Sequence, residues 1–165
     1  ALVAAGATCV IAGPGGSREV PVEAITTGPG KTSLAQGEFV VEIRLPARPA
    51  GGGDAYLRSI PRTEMDIAVV GAGAAIVIDS SGTCTAARVA VGAVAPTVLL
   101  VEAASSELVG SKLDDAALER MAEAVRAACK PIDDKRGTAA YRTDMAGVLA
   151  KRVVQIARDR AGAKA

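Results

Sequence analysis

The sequence predicts an α+β protein, with strands first and helices after. Up to Ser105 the apolar residues fall in β-branched runs punctuated by Gly and Pro turns. From Ser106 onward they recur at helical spacing instead. Segregation of the two patterns, rather than alternation, separates α+β from α/β architecture. Half of the 165 residues are apolar, yet there is one Phe and no Trp, so the core must be built from Ala, Val, Leu and Ile. A chain of this length buries roughly 70% of its unfolded surface, which is enough for an independent core.

Taken in order, "ATCVIAG" (7–13), the turn "GPGGS" and "REVPV" (18–22) read as a β-hairpin. "EAITTGPGKTSL" is a turn-rich connection. "EFVVEIRLP" alternates, with Phe39, Val41, Ile43 and Leu45 predicted on one face, Val40 on the other, and Pro46 ending the strand. "ARPAGGGD" (47–54) has linker composition, but its shortness is equally compatible with a tight excursion. "DIAVVGAGAAIVID", "TCTAARVAVGAVAP" and "TVLLVEAAS" read as three successive antiparallel strands, the first two joined as a hairpin through "SSG". "SELVG" makes a turn or two of helix. "DDAALERMAEAVRAAC" places Leu118, Met121, Val125 and Cys129 on one helical face, with Asp114 or Asp115 as N-cap and Pro131 beyond its end. The last helix, from 138 to 162, puts Tyr141, Met145, Val148, Leu149, Arg152 and Ile156 on repeating positions. A change of composition near Pro61 divides the chain into expected domains 1–60 and 61–165.

Composition also restricts function. Histidine is absent, which removes the commonest general base and the usual zinc ligand. The net charge is +1 and aromatic platforms are lacking, so nucleic-acid binding is not expected. Cys9, Cys84 and Cys129 are widely spaced and read as buried reduced thiols of a cytoplasmic protein. The apolar stretches fall short of the roughly 20 residues a spanning helix requires. "ALVAAGATCVIAG" has no basic region before it, as a secretory signal would, and without an initiator Met the chain reads as beginning partway through a longer protein.

Three glycine-rich stretches approach nucleotide motifs without completing them. "TGPGKTS" ends like a phosphate loop but has Ile25 where the first Gly belongs and no helix after it. "GAGAAI" (71–76) continues as a strand instead of opening a helix, so its small residues are better explained by close approach of a neighbour. "GPGG" is a hairpin turn. The pairs Asp114–Asp115 and Asp133–Asp134 suit helix capping better than metal or acid–base chemistry.

Read as whole strings, "VIAGPGGSREVPVEAITTGPGKTSLAQGEFVVEIRLP", "AYLRSIPRTEMDIAVVGAG", "CTAARVAVGAVAPT" and "KPIDDKRGTAAYRTDMAGVLAKR" resemble the flavin-binding medium subunit of molybdenum hydroxylases of the carbon monoxide dehydrogenase type. The resemblance runs through the entire chain in order. It implies the distal part of a two-subdomain FAD-binding domain, followed by a C-terminal domain of a three-stranded antiparallel sheet packed with helices. The glycine-rich segments that hold the FAD pyrophosphate in the family have no counterpart here. The implied function is to pass electrons from [2Fe–2S] clusters through FAD to an external acceptor. Implied partners are a large molybdopterin subunit and a small iron–sulfur subunit, in a dimer of heterotrimers, cytoplasmic or at the inner face of the membrane. The alternative is a docking or assembly module that binds no flavin.

Few site residues carry over. Val40 matches an aliphatic flavin contact, with Phe39 beside it, and Arg58 matches a basic position near the isoalloxazine or ribityl chain. The stretch 59–68 matches a loop along the flavin face, with Arg62, Glu64 and Asp66 as further contributors. Structural roles stand beside these: Val40 also fits a core position, and Asp66 also fits a loop-capping pair with Arg62. Tyr141 and Arg142 read as helix packing.

Overall fold

The computed structural model describes residues 1–63 and 65–162. Strands β1 (Thr8–Gly13) and β2 (Gly16–Pro21) form the expected hairpin, and β5 (Phe39–Arg44) adds to the other edge of β1. Between them, a 3₁₀ turn at Val22–Ala24 leads into the small hairpin of β3 (Thr26–Gly28) and β4 (Lys31–Thr32). The phosphate-loop look-alike is this hairpin's turn, and no helix follows it.

β5 does not alternate as predicted. Its register on β1 runs Glu42 opposite Val10, then Val40 opposite Ile11, so Val41 is an extra, bulged residue. The bulge reverses the expected sides: Val40 and Ile43 share a face with Ile11 and Cys9, while Phe39 lies with Ala12 on the other. Phe39, Val41, Ile43 and Leu45 remain exposed.

The second sheet is antiparallel in the order β6 (Gly52–Ser59), β7 (Val70–Ile78), β8 (Cys84–Gly92), β9 (Leu99–Leu100). The three strands expected here are β7, β8 and β9. β6 extends the sheet, beginning ahead of the composition change at Pro61. The glycine triplet is therefore not a tether. Gly51 turns the chain with φ +68, and Gly53 lies against helix α3 so closely that a Cβ would stand 2.0 Å from the Ala157 carbonyl oxygen.

α1 (Glu102–Leu108) and α3 (Ala139–Gly162) cover one face of this sheet, α3 on β6 and β7 and α1 on β8, and α2 (Asp115–Ala128) packs against both helices. α1 begins four residues earlier than its spacing suggested, and β9 is correspondingly short. Buried Ser105 explains the exchange: its Oγ accepts from Val89 N at 3.0 Å and donates to Val101 O at 3.1 Å, so a helix hydroxyl takes over where strand pairing stops. Asp114 caps α2, accepting from Ala117 N at 2.8 Å, and Leu118, Met121 and Val125 are buried as predicted. The buried stripe of α3 is rotated from the expected one. It contains Arg142, Ala146, Leu149, Ala150, Val153 and Ala157, whereas Tyr141 and Arg152 face outward. Small residues on this stripe let the helix settle onto β6 and β7, a distinction that a count of large apolar positions misses.

The opposite face of the sheet receives the start of the chain. Val3 and Ala4 pack with Ala90, and Arg88 donates to Val3 O (3.2 and 2.9 Å) and to Glu23 (3.1 Å). Tyr56 lies over Gly71 and Gly73 on this side, which accounts for the small residues of "GAGAAI". Cys9 and Cys84 are buried and Cys129 half-buried, all as free thiols, and burial pushes the Cys84 and Cys129 thiols up. No helix among the described residues is long and apolar enough to cross a membrane.

Candidate cofactor-binding site

The loop between β6 and β7 is closed at its base, where Val69 N donates to Ser59 O at 2.8 Å. A tight turn inside it is fixed by Asp66 N donating to Thr63 O at 3.0 Å. Asp66 organises the rest. Its carboxylate accepts from Arg62 Nε and from Ile67 N, each at 2.8 Å. Arg62, with help from the Ile67 N–H and the Arg136 charge, holds the Asp66 carboxyl below its ordinary value against the opposing effect of burial. Asp66 is 8% exposed, while the Arg62 side chain is 77% exposed, so the pair anchors the loop from within and presents a cation to solvent. Met65 and Ile67 stand outward beside it, at 94% and 63% exposure. Glu64 lies outside the described residues.

Arg58 is exposed near the end of β6, opposite Gly71 on β7. The period of two puts it on the face of Tyr56 and Asp54, away from the helices and toward the N-terminal part of the chain. Val40 is half-buried against Ile11 in the other sheet, and Phe39 beside it points to the opposite side of that sheet, 59% exposed. Of the five candidates the structure therefore brings Arg62 and Asp66 into direct contact. It separates Phe39 from Val40 across a sheet and sets Arg58 on a different sheet from both.

Two cavities lie along the seam between the halves. One, about 300 Å³, is bounded by Leu45, Pro46, Arg48, Asp54 and Arg88. The other, about 380 Å³, is bounded by Leu2, Val22, Glu23, Tyr56 and Val98. Neither is lined by the five candidates.

By chemistry, though not by a shared cavity, the residues present suit one end of a flavin. Val40 offers an aliphatic surface, Arg58 and Arg62 offer cations at the sheet margin, and Phe39, Leu45 and Tyr56 leave apolar area uncovered. They do not fit its diphosphate. Among the described residues the glycine-rich turns close hairpins, so their N–H groups do not converge as at a helix N-terminus.

Two residues of the neighbourhood were read from the sequence in structural roles only, Arg142 as helix packing and Asp134 as a cap. Arg142, 4% exposed, donates to Val69 O and to Asp134, directly beneath the loop. Its signal was available: an arginine on the same helical stripe as Ala146, Leu149 and Val153. Asp134, read there as a solvated or capping residue, accepts from Arg136 N at 2.8 Å and Gly137 N at 3.2 Å as well as from Arg142.

Two family profiles divide the chain. The FAD binding domain in molybdopterin dehydrogenase matches residues 1–48, and the CO dehydrogenase flavoprotein C-terminal domain matches residues 55–157. The chain is 40% identical over 156 residues to the carbon monoxide dehydrogenase medium chain of Hydrogenophaga pseudoflava, covering 94% of this chain and 53% of that protein. It is 31% identical to the xanthine dehydrogenase FAD-binding subunit of Escherichia coli O157:H7, covering 92% and 52%. Among solved structures, CO dehydrogenase from Oligotropha carboxidovorans superposes with a TM-score of 0.91 at 35% identity, over 96% of this chain and 55% of that one. Quinoline 2-oxidoreductase from Pseudomonas putida 86 gives 0.85 at 30% identity, over 97% and 55%. The chain thus spans about half the length of the relatives it matches. On this evidence the chain belongs to the CO dehydrogenase flavoprotein C-terminal domain family.

Proposed function

We propose that the chain is the distal portion of the flavoprotein subunit of a molybdenum hydroxylase, which passes electrons from [2Fe–2S] clusters through FAD to an external acceptor. The observation that carries this reading is a continuous match, in order and over 94% of the chain, to a carbon monoxide dehydrogenase medium chain. FAD, when bound, supplies the electron-transfer chemistry. The chain's own residues then have binding and positioning roles: Val40 supplies an aliphatic contact to the ring, with Phe39 as a neighbouring apolar group. Arg58 supplies a cation near the ring or ribityl chain, and Arg62 with Asp66 shapes the loop along it. The lack of histidine is no obstacle, because none of these roles needs a protein acid or base.

In this reading the partners are a large molybdopterin subunit and a small iron–sulfur subunit, assembled as a dimer of heterotrimers in the cytoplasm or at the inner membrane face. The chain divides into a flavin-domain part and a C-terminal domain, and the membership of β6 in the second sheet favours a boundary ahead of Gly52 over one at Pro61. A docking module without flavin is the alternative, favoured by the uncovered apolar side chains Phe39, Leu45, Met65 and Ile67.

The test is Arg58→Ala in the complete subunit, with flavin occupancy and reduction potential as readouts. We expect weaker retention of FAD or a lower potential, because a cation beside the ring favours negative charge on its reduced form. If occupancy and potential both match the parent, Arg58 is not at the flavin.

A further inference from the structure

Arg142 and Asp66 are the two buried charged residues among the described ones, and Arg142 is the buried cation. Its guanidinium gathers three separate segments at one end of the second sheet. Nη1 donates to Val69 O at 2.8 Å and to Ala93 O at 3.3 Å, and Nη2 donates to Asp134 Oδ1 at 2.8 Å. Val69 closes the β6–β7 loop, and Ala93 follows the end of β8. Asp134 belongs to the turn ahead of α3. Ala93 has φ 63, a left-handed conformation that costs a non-glycine residue energy and persists only where its surroundings impose it. Here the surroundings include the arginine that holds its carbonyl.

Stability alone does not explain an arginine at this place. Taking a guanidinium out of water is expensive, and an apolar side chain of similar volume would fill the same space without that cost. The Nε is buried with no hydrogen-bond partner, so the penalty is not fully compensated. What the planar fork provides, and neither lysine nor an aliphatic residue can, is a fixed geometry for several acceptors at once. Two of those acceptors bear on the loop. Val69 is its C-terminal anchor and donates in turn to Ser59 O. Asp134 fixes the turn that carries Arg136, whose charge acts on Asp66 inside the loop.

We propose that Arg142 is the positioning residue for the loop 59–68, holding Arg62 and Asp66 in the disposition the flavin requires. This rests on the flavin-side reading of that loop given above. Arg142 touches no part of the reacting system and acts through Val69 and Asp134.

The test uses Arg142→Met and Arg142→Lys in the complete subunit within its complex, read by amide hydrogen exchange and by the flavin absorption spectrum and potential. In Arg142→Met the amides of Asp66, Ile67 and Val69 should exchange faster by about tenfold or more, while those of α2 keep their protection. The flavin band and potential should shift with them, and Arg142→Lys should recover part of both effects. Should Arg142→Met not fold, Asp134→Asn loosens one of the three contacts and should accelerate the same amides to a smaller extent. Unchanged exchange at these amides in a folded variant overturns the positioning role. Faster exchange with an unmoved flavin spectrum and potential overturns the flavin-side reading instead, and with it any part for Arg142 in the reaction.

Discussion

Gly53 offers the sharpest test of how this fold is held together. Alanine there would place its Cβ 2.0 Å from Ala157 O and 2.7 Å from Ala161 N, both backbone atoms of α3. Ordinary C···O contacts are no shorter than about 3.3 Å, so strand and helix must separate by more than about 1 Å. No rotamer change can relieve the clash, because both obstacles are main chain. Overpacking usually costs about 1–3 kcal/mol. Gly53→Ala should reach or exceed the upper figure, because α3 rests on β6 and β7 through the fully buried Ala150, Val153, Val154 and Ala157. The reduced freedom of the unfolded chain returns only about 0.4–1 kcal/mol. Set against a typical domain stability of about 5–15 kcal/mol, the loss is large. Equilibrium unfolding in denaturant, followed by circular dichroism, measures it. Gly15→Ala is the control, since a Cβ at that hairpin turn meets nothing within 4 Å and should change stability by no more than about 0.5 kcal/mol. If Gly53→Ala costs under about 1 kcal/mol, close packing does not dictate this glycine, and the linker reading of the triplet regains its force.

Asp114→Ala removes the side-chain acceptor for Ala117 N and should destabilise the chain by about 1 kcal/mol, measured in the same unfolding experiment; no loss would mean the cap is dispensable. Glu38 provides the pH prediction. Its hydrogen bonds from Arg18, joined by one from Ala35 N, lower its carboxyl from 4.5 to about 2 in the folded protein. A depressed carboxyl stabilises the fold at pH above its unfolded value, and that contribution disappears as pH falls from about 4.5 toward 2. Glu38→Gln should therefore lower the thermal midpoint at pH 7 and converge with the parent near pH 2. A difference that stays constant across this range would show that the ionised Glu38 is not what stabilises the turn.

Legibility followed the length scale of the signal. The β1–β2 hairpin and α2 could be read directly, because a Gly-Pro turn, an Asp cap and a Leu118–Met121–Val125 stripe are local features. β5 was misread at one residue, since a bulge at Val41 is specified by the partner strand and leaves no trace in the apolar pattern. The short β9 had a similar cause, in that Ser105 completes Val89's hydrogen bonding from across the sheet. α3 was rotated because its buried stripe is largely alanine, and alanine carries little weight in a search for large apolar residues. The Arg62–Asp66 pair was anticipated as an alternative, being four residues apart, whereas nothing local shows that Asp134 and Val69 share one guanidinium.

Small residues and the buried arginine are two parts of one arrangement. A core with no Trp and a single, exposed Phe gains its density from alanine and glycine, which allow α3 to approach β6 to within backbone contact at Gly53. Such an interface has few side-chain rotamers to adjust, so displacement at one point must be taken up by moving whole elements. Arg142 stands near the start of α3, about four turns from the Gly53 contact with Ala157 near its other end. At the Arg142 end, hydrogen bonds to Val69, Ala93 and Asp134 take the place of close steric fit. The two anchors together define the helix's axial position and roll on the sheet. The β6–β7 loop hangs from the polar anchor, so its geometry is tied to the rigid platform although the loop itself contributes Asp66 as its only fully organised side chain among the described residues. Loosening the steric anchor should lower global stability, and loosening the polar one should first free the loop. That difference in response separates the element that builds the fold from the element that aims it.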